Sequence, residues 1–145
     1  MESKIRLMKT GDRREVIDMM RVFYASPAVF TNGSEEIFEA DVDNCIGDSP
    51  FLEGFVIEGE SEIMGYAMVA KSFSTEFGKS CIWIEDIYIK EKYRGCGLGS
   101  EMLRFISESY DNCIFRLEVE EENESAIRVY KKSGFSPLPY IEMKK

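Results

Sequence analysis

The sequence predicts an α/β protein with a mixed sheet and elements in the order β-αα-βββ-α-β-α-β. Three observations predict it. Segments with apolar residues three and four positions apart are interleaved with short runs rich in Val, Ile, Phe and Tyr, the signatures of amphipathic helices and of strands. Three strand-like runs stand one after another in the middle of the chain, the first two joined by the turn Gly59-Glu60-Ser61. A glycine-rich turn then leads from the third strand into a helix.

The elements follow in order. Lys4 to Lys9 alternates and opens the sheet. Asp12 is placed to cap a helix whose Val16, Met19, Met20 and Phe23 share a face, and Ser26-Pro27 breaks it. Ser34 caps a second helix from Glu35 to Ile46, with Glu35 and Glu36 in its first turn, where the helix dipole favours negative charge. Gly47 to Pro50 is a loop. The three strands are Leu52 to Glu58, Ile63 to Phe73 and Cys81 to Lys90. The glycine block opens a helix from Leu98 to Tyr110, Ile114 to Val119 is a further strand, and Asn123 caps the last helix. Lys131 and Lys132 suit that helix's C-terminal end, and Gly134 stops it. A last strand, Phe135 to Met143, is expected to close the sheet, interrupted at Pro137 and Pro139.

Composition limits what the chain can do. It has 145 residues, 44% of them hydrophobic, which suits one domain spanning 1–145 with a proper core. A net charge of −9 repels phosphate backbones and argues against nucleic-acid binding. It suits solubility or cationic small partners. There is no histidine, and Cys45, Cys81, Cys96 and Cys113 form no C-x-x-C pair, so no zinc site and no metal cofactor are expected. Without histidine no Ser–His or Cys–His nucleophile can form, and proton transfer falls to Glu, Asp, Tyr, Lys, Cys or water. The charged start, Met1 to Arg6, lacks the apolar core of a signal peptide, and the longest uncharged apolar run, Ile63 to Ala70, is too short to span a bilayer. A cytoplasmic protein with free thiols and no membrane association is the expectation.

The most informative stretch is Tyr93-Arg94-Gly95-Cys96-Gly97-Leu98-Gly99-Ser100. Alternate glycines allow a sharp bend with no side chains in a ligand's way. The following helix offers unpaired N–H groups and a partial positive charge, so the block reads as a pyrophosphate cradle. It is not a dinucleotide fingerprint, whose glycines are spaced G-x-G-x-x-G, and it lacks the Gly-Lys-Ser/Thr of a Walker loop.

The block resembles the signature of the GNAT superfamily of N-acetyltransferases, Arg/Gln-x-x-Gly-x-Gly/Ala, through Arg94, Gly97 and Gly99. Ile84 to Ile89 resembles the family's strand before the loop. Leu117-Glu118-Val119 followed by Asn123, Ala126, Tyr130 and Gly134-Phe135 resembles its later block, and the element order is the family's. Within the family, Glu85-Asp86 and Tyr93 to Glu101 look most like the diamine (spermidine/spermine) acetyltransferase branch.

The resemblance implies acetyl-CoA as co-substrate and a primary amine, small and polyamine-like or other, as acceptor, joined by direct attack in a ternary complex. Arg94, Gly95, Cys96, Gly97, Leu98, Gly99 and Ser100 would hold the pyrophosphate, mainly through backbone N–H groups. The main chain of Ile87, Tyr88 and Ile89 would pair with the pantetheine amides like an added strand, while their side chains are plain core. Asn123 would contact the pantetheine arm with its NH₂ while its oxygen caps the helix. Tyr130 is the preferred acid for the departing thiolate, although on an amphipathic helix the same residue reads as a core aromatic. Glu85 is the candidate base that takes the amine's proton, against a strand-end salt bridge as the structural alternative. Strict alternation puts Glu85 and Asp86 on opposite faces, leaving Asp86 the weaker base and a potential contact for a cationic substrate. The acidic run Glu118, Glu120, Glu121 and Glu122 reads as a solvated face, unless it lines the cleft with Glu35, Glu36 and Asp41. The resemblance also implies a homodimer through the C-terminal strand. Two competing classes remain at this stage: a non-catalytic acyl-CoA-binding module and an ATP-binding protein using the glycine loop. Within the leading class the acceptor could also be a protein or peptide.

Overall fold

A computed structural model describes residues 3–145; Met1 and Glu2, part of the charged start discussed above, lie outside the described residues. Five strands form one sheet in the order β1 (Lys4–Leu7), β2 (Leu52–Glu58), β3 (Ile63–Ser74), β4 (Lys79–Ile89) and β5 (Cys113–Leu117). The first four pair antiparallel, β2, β3 and β4 through short turns and β1 with β2 across the two intervening helices, and β5 lies parallel to β4. That parallel pairing needs a crossover, supplied by α3 (Leu98–Ser109).

Helices cover both faces. α1 (Arg13–Tyr24) and α2 (Glu35–Ile46) bury Val16, Ile17, Met19, Met20, Phe38 and Val42 against Val56, Tyr66, Met68 and Tyr88 of the sheet. On the opposite face α3 buries Leu98, Met102, Leu103 and Ile106 against Phe55, Ile57, Ala67, Val69, Ile82 and Ile84. Their spacing is the helical i, i+4, i+5, i+8 pattern that marks one apolar stripe. Met102 and Ile106 have no exposed surface, and burial on that scale stabilises by about 1.5–3 kcal/mol per side chain. α4 (Glu124–Lys132) adds half-buried Val129 and Tyr130 to the edge of this second cluster.

Ser34 caps α2 as expected, accepting from the Ile37 N–H at 3.2 Å. Asp12 stands at the N-cap of α1 but does not cap it. Its buried carboxylate instead takes two hydrogen bonds from Arg6, at 2.8 and 2.9 Å, and the Lys9 N–H at 2.9 Å, tying β1 to the turn before α1. Gly134, with φ +99°, takes the left-handed conformation that ends α4.

The expected last strand does not form. Phe135 packs at the second core cluster, near Tyr130, but from Ser136 onward the chain has no regular structure and is exposed. Pro137 and Pro139 each remove a ladder N–H, which makes continuous pairing costly. The segment is held by Tyr140, whose hydroxyl donates to Glu76 on the β3–β4 turn at 2.5 Å. Among the described residues no helix is long and apolar enough to cross a membrane.

Candidate active site

β4 and β5 pair only from Ser80↔Cys113 to Ile84↔Leu117, whereas β4 stays paired with β3 as far as Gly65↔Ile89. From Glu85 to Ile89 the other edge of β4 therefore carries no strand, and the chain after Leu117 leaves the sheet. The result is a wedge between two parallel strands, with unpaired β4 backbone along one wall. Such an edge can take a partner's amides as a further strand would. Ile87, Tyr88 and Ile89 form this wall. Tyr88 is buried in the first core cluster, and Ile87 and Ile89 pack on the second, so their side chains are structural and their backbone is what faces the gap.

The glycine loop follows this wall. Gly95 and Gly97 have φ of +82° and +85°, a region side-chain-bearing residues rarely adopt. A Cβ at either would meet nothing within 4 Å, so the loop borders open space. Gly97 is the N-cap of α3 and offers no side-chain cap. The first helical N–H taken up is that of Glu101, by the Gly97 carbonyl at 3.0 Å. The N–H groups of Leu98, Gly99 and Ser100 are thus left for an external acceptor, at the positive end of the helix dipole. Arg94 spends its Nε on the Ile89 carbonyl (2.8 Å) and lies 5.4 Å over the Tyr88 ring, bracing the loop against β4. Cys96 is exposed, with its Sγ toward the Arg94 carbonyl.

Glu62, on the β2–β3 turn, anchors the approach to this loop. It accepts from Lys90 and from the Tyr93 hydroxyl, each at 2.6 Å, and pairs with Lys92 at 2.5 Å. These partners hold its carboxyl down at about 2. Nothing local in the sequence marks Glu62, because its partners lie about thirty positions later.

α4 forms another border. Val129 lies 3.9 Å from where a Cβ on Gly99 would be, so α4 sits against the start of α3. Asn123 Oδ1 accepts from the Ala126 N–H (3.4 Å), and its NH₂ makes no protein hydrogen bond among the described residues. The Tyr130 ring packs against Phe135 with centroids 6.2 Å apart. Its hydroxyl likewise has no protein partner among the described residues, and burial pushes it up to about 12, so it stays protonated at any physiological pH.

Carboxylates gather at the mouth of the wedge, and here one expectation fails. The β3–β4 register slips between Met68↔Asp86 and Val69↔Ile84, leaving Glu85 as the extra residue of a β-bulge. Ile84 and Ile87, three apart, consequently pack in the same cluster, so the strict alternation that would set Glu85 and Asp86 on opposite faces does not hold here. Asp86 is 4% exposed and points to the α1/α2 side, where Tyr24 and Tyr66 donate to it at 2.7 and 2.8 Å. Burial raises the Asp86 carboxyl, and the two hydroxyls hold it down in part. Desolvation, then Asp86, then Glu142 push Glu85 above the ordinary carboxylate range. Asp41 of α2 is lifted to about 6 by burial and then by the charges of Asp86 and Glu85. Glu118, just beyond β5, rises to about 7 through desolvation and then its pairing with Glu142 of the C-terminal segment.

Asp41 is half-buried and feels the charges of Asp86 and Glu85, whereas Glu118 is exposed, as is Glu35, which is paired with Arg21. Glu36, Glu120, Glu121 and Glu122 are exposed, as a solvated face would be. Sequence reasoning missed Tyr24, Tyr66 and Glu142. Tyr24 ends α1 and Tyr66 sits inside a buried strand, so both read as core aromatics until the bulge brings Asp86 to them.

Residues 17–135 match the Acetyltransferase (GNAT) family. The chain is 34% identical to the thialysine N-epsilon-acetyltransferase of Sus scrofa over 95% of its own length and 86% of that protein's. It is 30% identical to the spermine/spermidine N(1)-acetyltransferase of Bacillus subtilis over 52% of its length and 54% of that protein's. Its fold superposes on "a possible acetyltransferase from Clostridium difficile 630" with a TM-score of 0.83 at 17% identity, covering 99% of this chain and 96% of the other. It also superposes on AAC(6')-Iy in complex with the bisubstrate analog CoA-S-monomethyl-acetylneamine with a TM-score of 0.82 at 13% identity, covering 100% and 98%. The chain belongs to the GNAT family of acetyltransferases.

Proposed function

We propose that the protein, acting as a single domain over 1–145, transfers an acetyl group from acetyl-CoA to a primary amine on a small, polyamine-like or thialysine-like molecule. The observation that carries this reading is the wedge beyond Ile84↔Leu117, with open β4 backbone, unclaimed N–H groups at α3 and Glu85 and Asp86 at the point where β5 leaves β4. Gly95 to Ser100, braced by Arg94, cradle the pyrophosphate, and the main chain of Ile87, Tyr88 and Ile89 takes the pantetheine amides, with the free NH₂ of Asn123 beside the arm. The acidic mouth favours a cationic acceptor, in line with the amines named for the relatives.

An alkylamine is protonated at neutral pH, so it must lose a proton before its nitrogen can attack. Glu85, with its raised proton affinity and solvent access, takes that proton directly or through water. The nitrogen lone pair adds to the thioester carbonyl, the C–N bond forms, and the C–S bond breaks as the carbonyl is restored. The CoA sulfur leaves with the electron pair. Tyr130 donates a hydrogen bond to it. Burial pushes its hydroxyl up to about 12, against roughly 8.5 for a simple thiol, so full proton transfer from Tyr130 is uphill and stabilisation of the thiolate by hydrogen bonding dominates.

We further propose a homodimer through the C-terminal segment, whose Ile141 and Met143 are almost fully exposed, and a cytoplasmic location, which suits four free cysteines. The test of the activity is free-thiol release from acetyl-CoA against spermidine, spermine, diamines, thialysine, lysine and peptides. Turnover confined to the small amines, with the peptides left unacetylated, supports the reading. Tight acetyl-CoA binding with transfer to none of the amines would overturn it in favour of a non-catalytic acyl-CoA-binding module.

A further inference from the structure

Asp86 is a buried carboxylate with no cation within ion-pairing distance among the described residues. Its two oxygens are each filled by a tyrosine hydroxyl, Tyr24 on Oδ1 and Tyr66 on Oδ2. A carboxylate only accepts, so both tyrosines donate and the arrangement is complete with Asp86 ionised. A buried charge without a counter-ion is expensive, and an apolar side chain here would cost less. The three groups come from three elements: the last residue of α1, the middle of β3 and the bulge of β4.

Tyr24 is also the start of the loop 25–33 between α1 and α2. The far end of that loop returns to the same place. Gly33, at φ +63°, lies so close to the Phe38 ring that a Cβ would approach it to 2.5 Å and the Tyr24 ring to 3.5 Å. Phe38 in turn packs on Tyr24 with centroids 5.4 Å apart. Both ends of the loop therefore rest on Tyr24, and Tyr24 rests on Asp86. Beside Asp86 in the chain stands Glu85, and one helical turn beyond Phe38 in α2 stands Asp41.

We propose that Tyr24 and Tyr66 are positioning residues that clamp Asp86, locking the 25–33 loop to the β4 bulge so that the loop and Glu85 present one fixed arrangement to the acceptor. The clamp rests on the acceptor reading above only for its effect on catalysis; its mechanical content stands alone. With both oxygens turned to the tyrosines and only 4% of the residue exposed, Asp86 does not ligate the acceptor itself; it holds the residues that do.

The test is amide hydrogen exchange by mass spectrometry on the full chain, without ligands, together with acceptor kinetics. In Tyr24→Phe, exchange in the 25–33 loop and in the 84–88 segment rises together by about fivefold, the factor that loss of one hydrogen bond gives, while the 98–109 helix is unchanged. Asp86→Ala behaves the same way. Asp86→Asn stays near the wild-type rates, because a carboxamide can accept from one tyrosine and donate to the other. In steady state, Tyr24→Phe and Tyr66→Phe raise the acceptor KM by about fivefold and leave the acetyl-CoA KM unchanged, a split that general loss of stability does not produce. Wild-type exchange in both segments of Tyr24→Phe and Asp86→Ala, or an equal rise everywhere including α3, overturns the clamp. A wild-type protein that acetylates no amine, yet shows the segment-specific exchange, leaves the clamp standing and removes the acceptor reading.

Discussion

Removing one oxygen atom, in Tyr130→Phe, separates the chemistry from the fold. The Tyr130 ring supports the second core cluster and Phe135, and phenylalanine keeps that packing. The lost hydroxyl has no protein partner among the described residues, so its removal leaves no orphaned group and lifts a desolvation cost. Thermal stability should stay at the wild-type value or rise slightly. The departing CoA thiolate, however, loses a hydrogen bond to a charged acceptor, worth about 1.5–3 kcal/mol, or roughly 10- to 150-fold in kcat. The measurements are thiol release at saturating acetyl-CoA and amine, and CoA affinity by calorimetry, where the variant should match wild type. Because burial holds the hydroxyl protonated to about pH 12, wild-type kcat should show no alkaline fall assignable to Tyr130 below about pH 10. A kcat within twofold of wild type, with the variant folded, would refute the role of Tyr130. An alkaline limb near pH 8–9 that disappears in the variant would refute the argument from burial.

Two further outcomes are expected. Gly97→Val places a branched side chain in the glycine loop and forces it to φ +85°, a strain of about 1–2 kcal/mol, and should abolish measurable CoA binding. Gly99→Ala, helical and with only Val129 at 3.9 Å, should keep CoA affinity and gain up to about 1 kcal/mol in stability. Folded Gly97→Val with wild-type affinity would show that the loop does not hold the ligand. The second outcome concerns pH. Asp41, raised to about 6, and Glu118, raised to about 7, bind protons in the folded state that the unfolded chain has already released, so stability falls as pH rises from about 4 to 7. Glu62, held near 2, contributes stability that is full above its unfolded value and lost as pH falls toward 2. Urea midpoints at pH 5 and 7.5 should drop toward the higher pH, and Asp41→Asn should shrink the drop. Because the general repulsion of a chain with net charge −9 remains in that variant, an unchanged drop would mean Asp41 is not buried beside charge.

Most of the fold was legible because local signals and burial agreed. β2 and α2 begin and end where pattern and capping place them, since Ser34 and the Gly59-Glu60-Ser61 turn act over a few residues. The failures lie where a distant partner overrides a local rule. Asp12 has a capping residue's position, but Arg6 supplies two hydrogen bonds to the same oxygens, and a charge-assisted pair outcompetes a helix N–H. The C-terminal strand had apolar alternation but also two prolines, and pairing needs N–H groups that proline lacks.

The bulge at Glu85 is the most consequential of these failures, because alternation is the rule by which any strand is read. Nothing in Ile84-Glu85-Asp86-Ile87 announces an extra residue; two adjacent carboxylates between isoleucines fit a regular strand as well. What decides is energetic and three-dimensional. With Ile84 against α3, a regular strand would turn both Asp86 and Ile87 the wrong way, setting a charge against α3's apolar stripe and an isoleucine among the tyrosines. The extra residue lets Ile84 and Ile87 both reach that stripe and gives Asp86 to Tyr24 and Tyr66. It also bends β4 where β5 leaves it. One inserted residue thus serves the core, satisfies a buried charge and coincides with the opening of the wedge. That is why the chemistry-bearing residues were legible as types in the sequence while their arrangement was not.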